Sequence, residues 1–124
     1  NKFVRCGNIA PYQNGNATGA IVFINSNSLP GGVQTGIVIE NNEFISPVTS
    51  SVWVWGAGQP GDFIFRNNTI TNSTVPVLWT TATAKGSAQF NNNTAVNFTG
   101  SEYLDDNSPN FSFTKTGNIP NNWP

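Results

Sequence analysis

Short runs of alternating apolar and polar residues recur along the chain at a nearly fixed interval. Ile37-Val38-Ile39-Glu40-Asn41-Asn42-Glu43-Phe44, Phe63-Ile64-Phe65-Arg66-Asn67-Asn68-Thr69-Ile70 and Ala88-Gln89-Phe90-Asn91-Asn92-Asn93-Thr94-Ala95 share one pattern, with Asn41, Asn67 and Asn92 spaced 26 and 25 residues apart. Two positions before each asparagine stands Ile39, Phe65 or Phe90, and three positions after it Phe44, Ile70 or Ala95. The spacing predicts strand, tight corner, strand, once per coil of a stacked repeat. A unit of this length cannot bury its apolar face alone.

The same pattern extends around each coil. A first strand is predicted at Ala20 to Ile24, Val52 to Trp55 and Val77 to Trp79. Loops holding Gly, Pro or Thr follow at 27–35, 56–61 and 80–86, and then the second strand ending at Ile39, Phe65 or Phe90. The third strand is Glu43 to Ile45, Thr69 to Thr71 or Thr94 to Val96. Val4 and Cys6, with Asn8 after them, match the second strand and its corner. So do Phe111 and Phe113, with Lys115 at the asparagine position. The segment 100–109 reads as a loop or broken coil. Residues 1–115 form the repeat domain and 116–124 a C-terminal cap or linker.

Alternation assigns the faces. Ile37, Ile39, Phe63, Phe65, Ala88, Phe90, Phe111 and Phe113 are predicted inward, and Val38, Glu40, Ile64, Arg66, Gln89 and Asn91 outward. At the corners an asparagine supplies donors and an acceptor for backbone groups that leave the ladder, and it tolerates left-handed angles. A stacked polar ladder of Asn8, Asn41, Asn67 and Asn92 is therefore expected.

Composition agrees with a strand-rich fold. Twenty of 124 residues are Asn, which competes with helical hydrogen bonding, and no segment has a 3.6-residue period. Nine Phe and four Trp within 37% apolar residues argue for a real core. Five Lys or Arg against six Asp or Glu give a formal charge of -1. That is too little basic charge to hold a phosphate backbone, so nucleic acid is not an expected partner. No apolar run is long enough to span a bilayer as a helix, so membrane insertion is not expected either.

This organisation resembles the right-handed parallel β-helix of the pectate-lyase-like superfamily, which includes phage tailspikes and many polysaccharide lyases and hydrolases. The resemblance covers residues 36–98 and rests on the Ile39-Glu40-Asn41-Asn42-Glu43-Phe44 type of motif. It implies an all-β, single-stranded right-handed parallel β-helix of about three full coils plus partial flanking coils. Phe65-Arg66-Asn67-Asn68 and Phe90-Asn91-Asn92-Asn93 also resemble the Phe-x-x-Asn repeats of bacterial autotransporter passengers. Of their companion Gly-Gly-Ala-Ile motif only Thr18-Gly19-Ala20-Ile21 is present.

Chemistry has few places to sit. The absence of histidine removes Ser-His-Asp, Cys-His and His-based zinc sites. Cys6 stands alone in an apolar alternating run and reads as core filler. Glycoside hydrolysis needs two carboxyl groups about 5–9.5 Å apart, and Glu40, Asp62 and Glu102 are the candidate acids. Glu40 also reads as the partner of Arg66 one coil on. The resemblance implies, for a calcium-dependent lyase, an outward Arg base beside clustered Asp ligands. Arg66 has the outward position, but the clustered Asp residues are missing around it. Neither a metal nor a cofactor is expected.

If Val52 and Val54 fill the core, Trp53 and Trp55 form an exposed platform, with Tyr103 or Tyr12 beside it. Flat rings on a rigid strand suit sugar stacking. Six Asn-x-Ser/Thr sequons occur, at Asn16, Asn67, Asn72, Asn92, Asn97 and Asn110. Those at Asn67 and Asn92 are expected to be incidental because the ladder would bury them.

The expected function is a structural or carbohydrate-recognition module of an extracellular or virion-surface protein, with a polysaccharide or glycan partner. The alternative is a polysaccharide lyase or glycoside hydrolase whose acids lie at a subunit interface or in missing sequence. Open ends of a short stack imply a homo-oligomer or part of a longer chain.

Overall fold

The alternating runs of the three central repeats are extended backbone. The computed structural model describes residues 1–5, 21–24, 34–48, 50–55, 61–100, 103–105 and 108–120. The strands are β1 (Lys2–Val4), β2 (Ile21–Ile24), β3 (Gln34–Glu40), β4 (Glu43–Ile45), β5 (Val52–Trp55) and β6 (Gly61–Arg66). They continue as β7 (Thr69–Thr71), β8 (Leu78–Thr80), β9 (Gly86–Asn91), β10 (Thr94–Val96), β11 (Leu104–Asp105) and β12 (Phe111–Thr116).

All strand pairing in these sheets is parallel, and the chain visits three sheets in rotation. Their orders are β1-β4-β7-β10, β11-β8-β5-β2 and β12-β9-β6-β3. Each sheet therefore receives one strand from each of four circuits. The arrangement is all-strand and compatible with a β-helix-like fold. The predicted first, second and third strands of the three central repeats are all present, and equivalent residues pair in register: Glu43 with Thr69, Ile39 with Phe65, Phe65 with Phe90.

The core holds the residues assigned inward by alternation together with apolar residues of the third strands. Ile39, Phe44, Phe63, Phe65, Ile70, Ala88, Phe90 and Phe111 are buried, and Ile37, Ala95 and Phe113 pack against them part-buried. Val52, Val54, Leu78 and Leu104 fill the side of the interior formed by β5, β8 and β11. Rings meet across successive circuits: Phe3 stacks on Phe44 at 4.9 Å, Phe44 lies 5.6 Å from Phe65, and Phe65 lies 5.6 Å from Phe90. Burying each such ring contributes about 1.5–3 kcal/mol.

Two columns of left-handed residues turn the chain around its shortest sheet. Asn41, Asn67, Asn92 and Gly117 precede that sheet, with φ of 56°, 53°, 55° and 65°. Arg5, Ser46, Asn72 and Asn97 follow it, with φ of 50°, 47°, 54° and 54°. Asparagine tolerates this region better than most residues and glycine best of all. Asn41, Asn67 and Asn92 thus share one column, as expected, but they are exposed.

The buried ladder is the next residue along: Asn42, Asn68, Asn93 and Asn118. A left-handed corner interrupts strict alternation, so the residue after it, rather than the corner residue, is directed into the interior. In each rung the backbone N–H and Nδ2 donate to the Oδ1 below, as from Asn68 to Asn93 (3.0 and 3.3 Å) and from Asn93 to Asn118 (2.9 and 2.9 Å). Nδ2 also reaches a strand-end carbonyl of the circuit above: Ile39 for Asn68, Phe65 for Asn93, Phe90 for Asn118. Asn1 forms a further rung on Asn42 at 3.1 Å. Asn8, placed in the ladder by the sequence pattern, lies outside the described residues, as does Cys6.

Register corrects two further expectations. Lys2–Val4 pairs with Glu43–Ile45, so Val4 belongs to the third strand of its circuit and not the second. Phe111 and Phe113 pair with Gly86 and Ala88, which sets Lys115 against Phe90 and Gly117 and Asn118 in the corner and ladder columns. Past them, Ile119 bridges to Thr94. The segment expected as loop or broken coil contributes Leu104–Asp105 to the sheet of β8. The sequon asparagines Asn67, Asn72, Asn92, Asn97 and Asn110 are exposed, which overturns the expectation that Asn67 and Asn92 are buried.

The ladder and corner columns are separable by mutation. Asn93→Ala strands several buried backbone and amide groups and is expected to cost about 3 kcal/mol or more, at about 1–3 kcal/mol for each group left unpaired. Asn92→Ala is expected to cost only the left-handed penalty of about 1–2 kcal/mol, and Asn92→Gly less. Urea midpoints at constant m-value measure this ranking. The reverse ranking would place the ladder one residue earlier.

Candidate functional site

The outer face of the sheet β3-β6-β9-β12 presents the largest set of candidate groups, because paired strands hold their side chains in columns. One column runs Glu40, Arg66, Asn91, Thr116 and another Asp62, Ser87, Ser112. Between Gln34 and Ile37 the register slips: Gln34 pairs with Gly61, yet Ile37 pairs with Phe63. One extra residue of β3 therefore bulges opposite Asp62, and Gly36 turns there with φ of 72°. The bulge opens a recess of about 160 Å³ lined by Gly36, Ile37, Asp62, Ile64, Ser87 and Gln89, with Phe63 behind. Asp62 is exposed, and its Oδ1 accepts a hydrogen bond from Ser87 Oγ at 2.8 Å.

Glu40 lies at the far end of the same sheet. Its Oε2 accepts from Arg66 Nε at 2.7 Å, the coil-to-coil pair expected from the sequence. Asp62 stands four positions before Arg66 along β6, so its backbone is about 13 Å from the Glu40 position at the rise of an extended strand. That exceeds the separation carboxyl pairs need for glycoside hydrolysis. Glu102, the third candidate acid, lies outside the described residues. Among the described residues no group of three or more His, Cys, Asp or Glu gathers to hold a metal ion.

The candidate sugar-binding residues belong to another sheet. Trp53 and Trp55 lie in β5, between and after the buried Val52 and Val54. The register sets Trp79 of β8 opposite Trp53. The side chains of these three tryptophans lie outside what is described, and so do Tyr12 and Trp123. Tyr103 is half-buried just before β11, and its ring stacks on Phe98 at 3.9 Å and 17°. One face of the ring is therefore covered. Burial raises the Tyr103 phenol above its ordinary 10.0.

A second depression, of about 480 Å³, follows the corner column, lined by the polar residues Asn1, Asn41, Asn42, Glu43, Asn67 and Thr69. Lys2 Nζ lies 3.3 Å from Glu43 beside it. Neither depression is foreseen by the sequence pattern, nor are Ser87 and Gln89. The one available signal is Gly36, an isolated glycine inside a strand pattern, which marks a bulge.

Comparison of the chain with protein-family models, with curated proteins and with solved structures finds no match.

Two outcomes follow from this geometry. A raised phenol pKa favours the neutral form in the folded state. The stability Tyr103 contributes is thus complete below pH 10 and is lost as pH rises through the folded value. Tyrosinate absorbance during an alkaline titration is expected to show a late phase that Tyr103→Phe removes. Glu40→Gln is expected to change stability by less than about 1 kcal/mol, because the pair is exposed; a chemical-denaturation curve measures it.

Proposed function

We propose that the chain is a right-handed parallel β-helix of pectate-lyase-like type, serving as a structural or carbohydrate-recognition module of an extracellular or virion-surface protein. Right-handedness is the near-universal sense of parallel strand crossovers. The observation that carries the functional reading is the columnar outer surface. Side chains one circuit apart are held in reach of one another, as at Asp62 and Ser87 (2.8 Å) and at Glu40 and Arg66 (2.7 Å). A surface that repeats at strand spacing, about 4.8 Å, is suited to a ligand that itself repeats. With a formal charge of -1, it suits a neutral polymer better than a polyanion.

The proposed ring platform is Trp53 and Trp55, with Tyr103 beside it. Burial of Val52 and Val54 is the condition that the platform required. Assembly with further copies or with more chain fits the sheet orders, in which β1, β2, β3, β11 and β12 lie at sheet edges among the described strands. The second reading, a lyase or hydrolase acting on polysaccharide, is favoured by one observation: a recess beside a β-bulge holds the Asp62 carboxylate.

A glycan array and a reducing-sugar and unsaturated-product assay on capsular and pectic polysaccharides separate the readings. Binding without cleavage is expected, weakened about twofold to tenfold by Trp53→Ala, since an aromatic contact is worth about 0.5–1.5 kcal/mol. Cleavage abolished by Glu40→Gln, Asp62→Asn or Glu102→Gln would establish the enzyme instead. Binding indifferent to Trp53→Ala would remove the platform.

A further inference from the structure

We infer that the recess at the β3 bulge is a subsite for a single hexopyranose ring. Its ligand class rests on the glycan-recognition reading above; its place rests on the geometry of the bulge. Gly36 leaves open space where a Cβ would stand, with nothing within 4 Å. The volume of about 160 Å³ admits one ring and not a drug-sized ligand.

The lining discriminates among ligands. Asp62 takes part in neither ion pair of the described residues, and Ser87 fixes one of its oxygens. The other carboxylate oxygen accepts hydroxyl protons in charge-assisted bonds, which are stronger than neutral ones. Gln89, exposed two positions along β9 from Ser87, supplies a donor and an acceptor. Ile64 is half-buried and gives the C–H face of a sugar an apolar contact. An anion is repelled by Asp62. A calcium ion takes six to eight oxygens, whereas the side chains lining this recess that carry oxygen are Asp62, Ser87 and Gln89.

The row continues down the stack. Ser112 pairs in register with Ser87, and Thr114 with Gln89, and both are exposed. A glycan with one ring in the recess meets further hydroxyl groups along the stacking direction, at strand spacing.

The experiment is an NMR titration of the isotopically labelled chain with methyl glycosides of glucose, galactose and mannose. At least one glycoside is expected to shift the Gly36 and Ser87 backbone amides and the Gln89 side-chain amide in a saturable way. Asp62→Asn and Gln89→Ala, both at exposed positions, are expected to weaken that binding at least tenfold. Gly36→Asn, a residue that tolerates the left-handed angle, is expected to weaken it by placing a side chain at the recess. No saturable shift with any glycoside overturns the subsite, as does a shift unaltered in Asp62→Asn and Gln89→Ala. Saturable shifts with calcium chloride in place of sugar would make it a cation site and overturn it too. Polysaccharide binding lost in Trp53→Ala but intact in Asp62→Asn and Gln89→Ala sinks the subsite and leaves the module reading standing. Glycoside shifts at the recess, without polysaccharide binding on the array, do the reverse.

Discussion

The asparagine ladder is the contact on which the rest of the structure depends. At the corner before the shortest sheet, the chain has to leave one set of strand hydrogen bonds and enter another. Asn42, Asn68, Asn93 and Asn118 bridge that gap with side chains that imitate a peptide group: Asn68 and Asn93 bond a backbone carbonyl in the circuit above and the next amide below, Asn42 the amide below and Asn118 the carbonyl above. Buried at 8% exposure or less, they cannot exchange these bonds for water. Lateral register follows from this spine. Once rung lies on rung, Ile39 falls above Phe65 and Phe65 above Phe90, and the aromatic interior assembles without further instruction.

The outer surface inherits the same order. Residues that face solvent in one circuit meet their counterparts in the next, which explains how Glu40 finds Arg66 and Asp62 finds Ser87 although 26 and 25 residues separate them. The bulge in β3 is the one described slip between paired strands, and it lies where a carboxylate, a hydroxyl and an amide converge. Regularity supplies rigid positions, and the local departure from it supplies a concavity. Both are needed for a surface that selects a ligand.

Much of this architecture is legible in the residues. Strands at Val52–Trp55, Gly61–Arg66, Gly86–Asn91 and Thr94–Val96 follow from alternation, because each must bury one face. The pattern misplaces the ladder by one residue because Asn41-Asn42, Asn67-Asn68 and Asn92-Asn93 each offer two identical side chains. Only backbone angles tell which of the two turns the corner. Phe111 and Phe113 fall two positions from where the repeat puts them, because two phenylalanines fit either pair of core positions; Gly117 and Asn118 in the corner and ladder columns settle the choice. The recess is not legible at all. It depends on which residues of neighbouring strands lie side by side, a matter of register that no single strand encodes.

The rungs also differ in how much chain they enclose. From Asn1 to Asn42 the ladder spans 41 residues, from Asn42 to Asn68 26, and from each of the next two to its successor 25. Spacing between the amides is nevertheless the same throughout, near 3 Å. The spine is therefore blind to the length of what is threaded between its rungs. A scaffold of this kind can lengthen, shorten or exchange its excursions one circuit at a time, and so alter what it presents to the outside while its interior stays as it was.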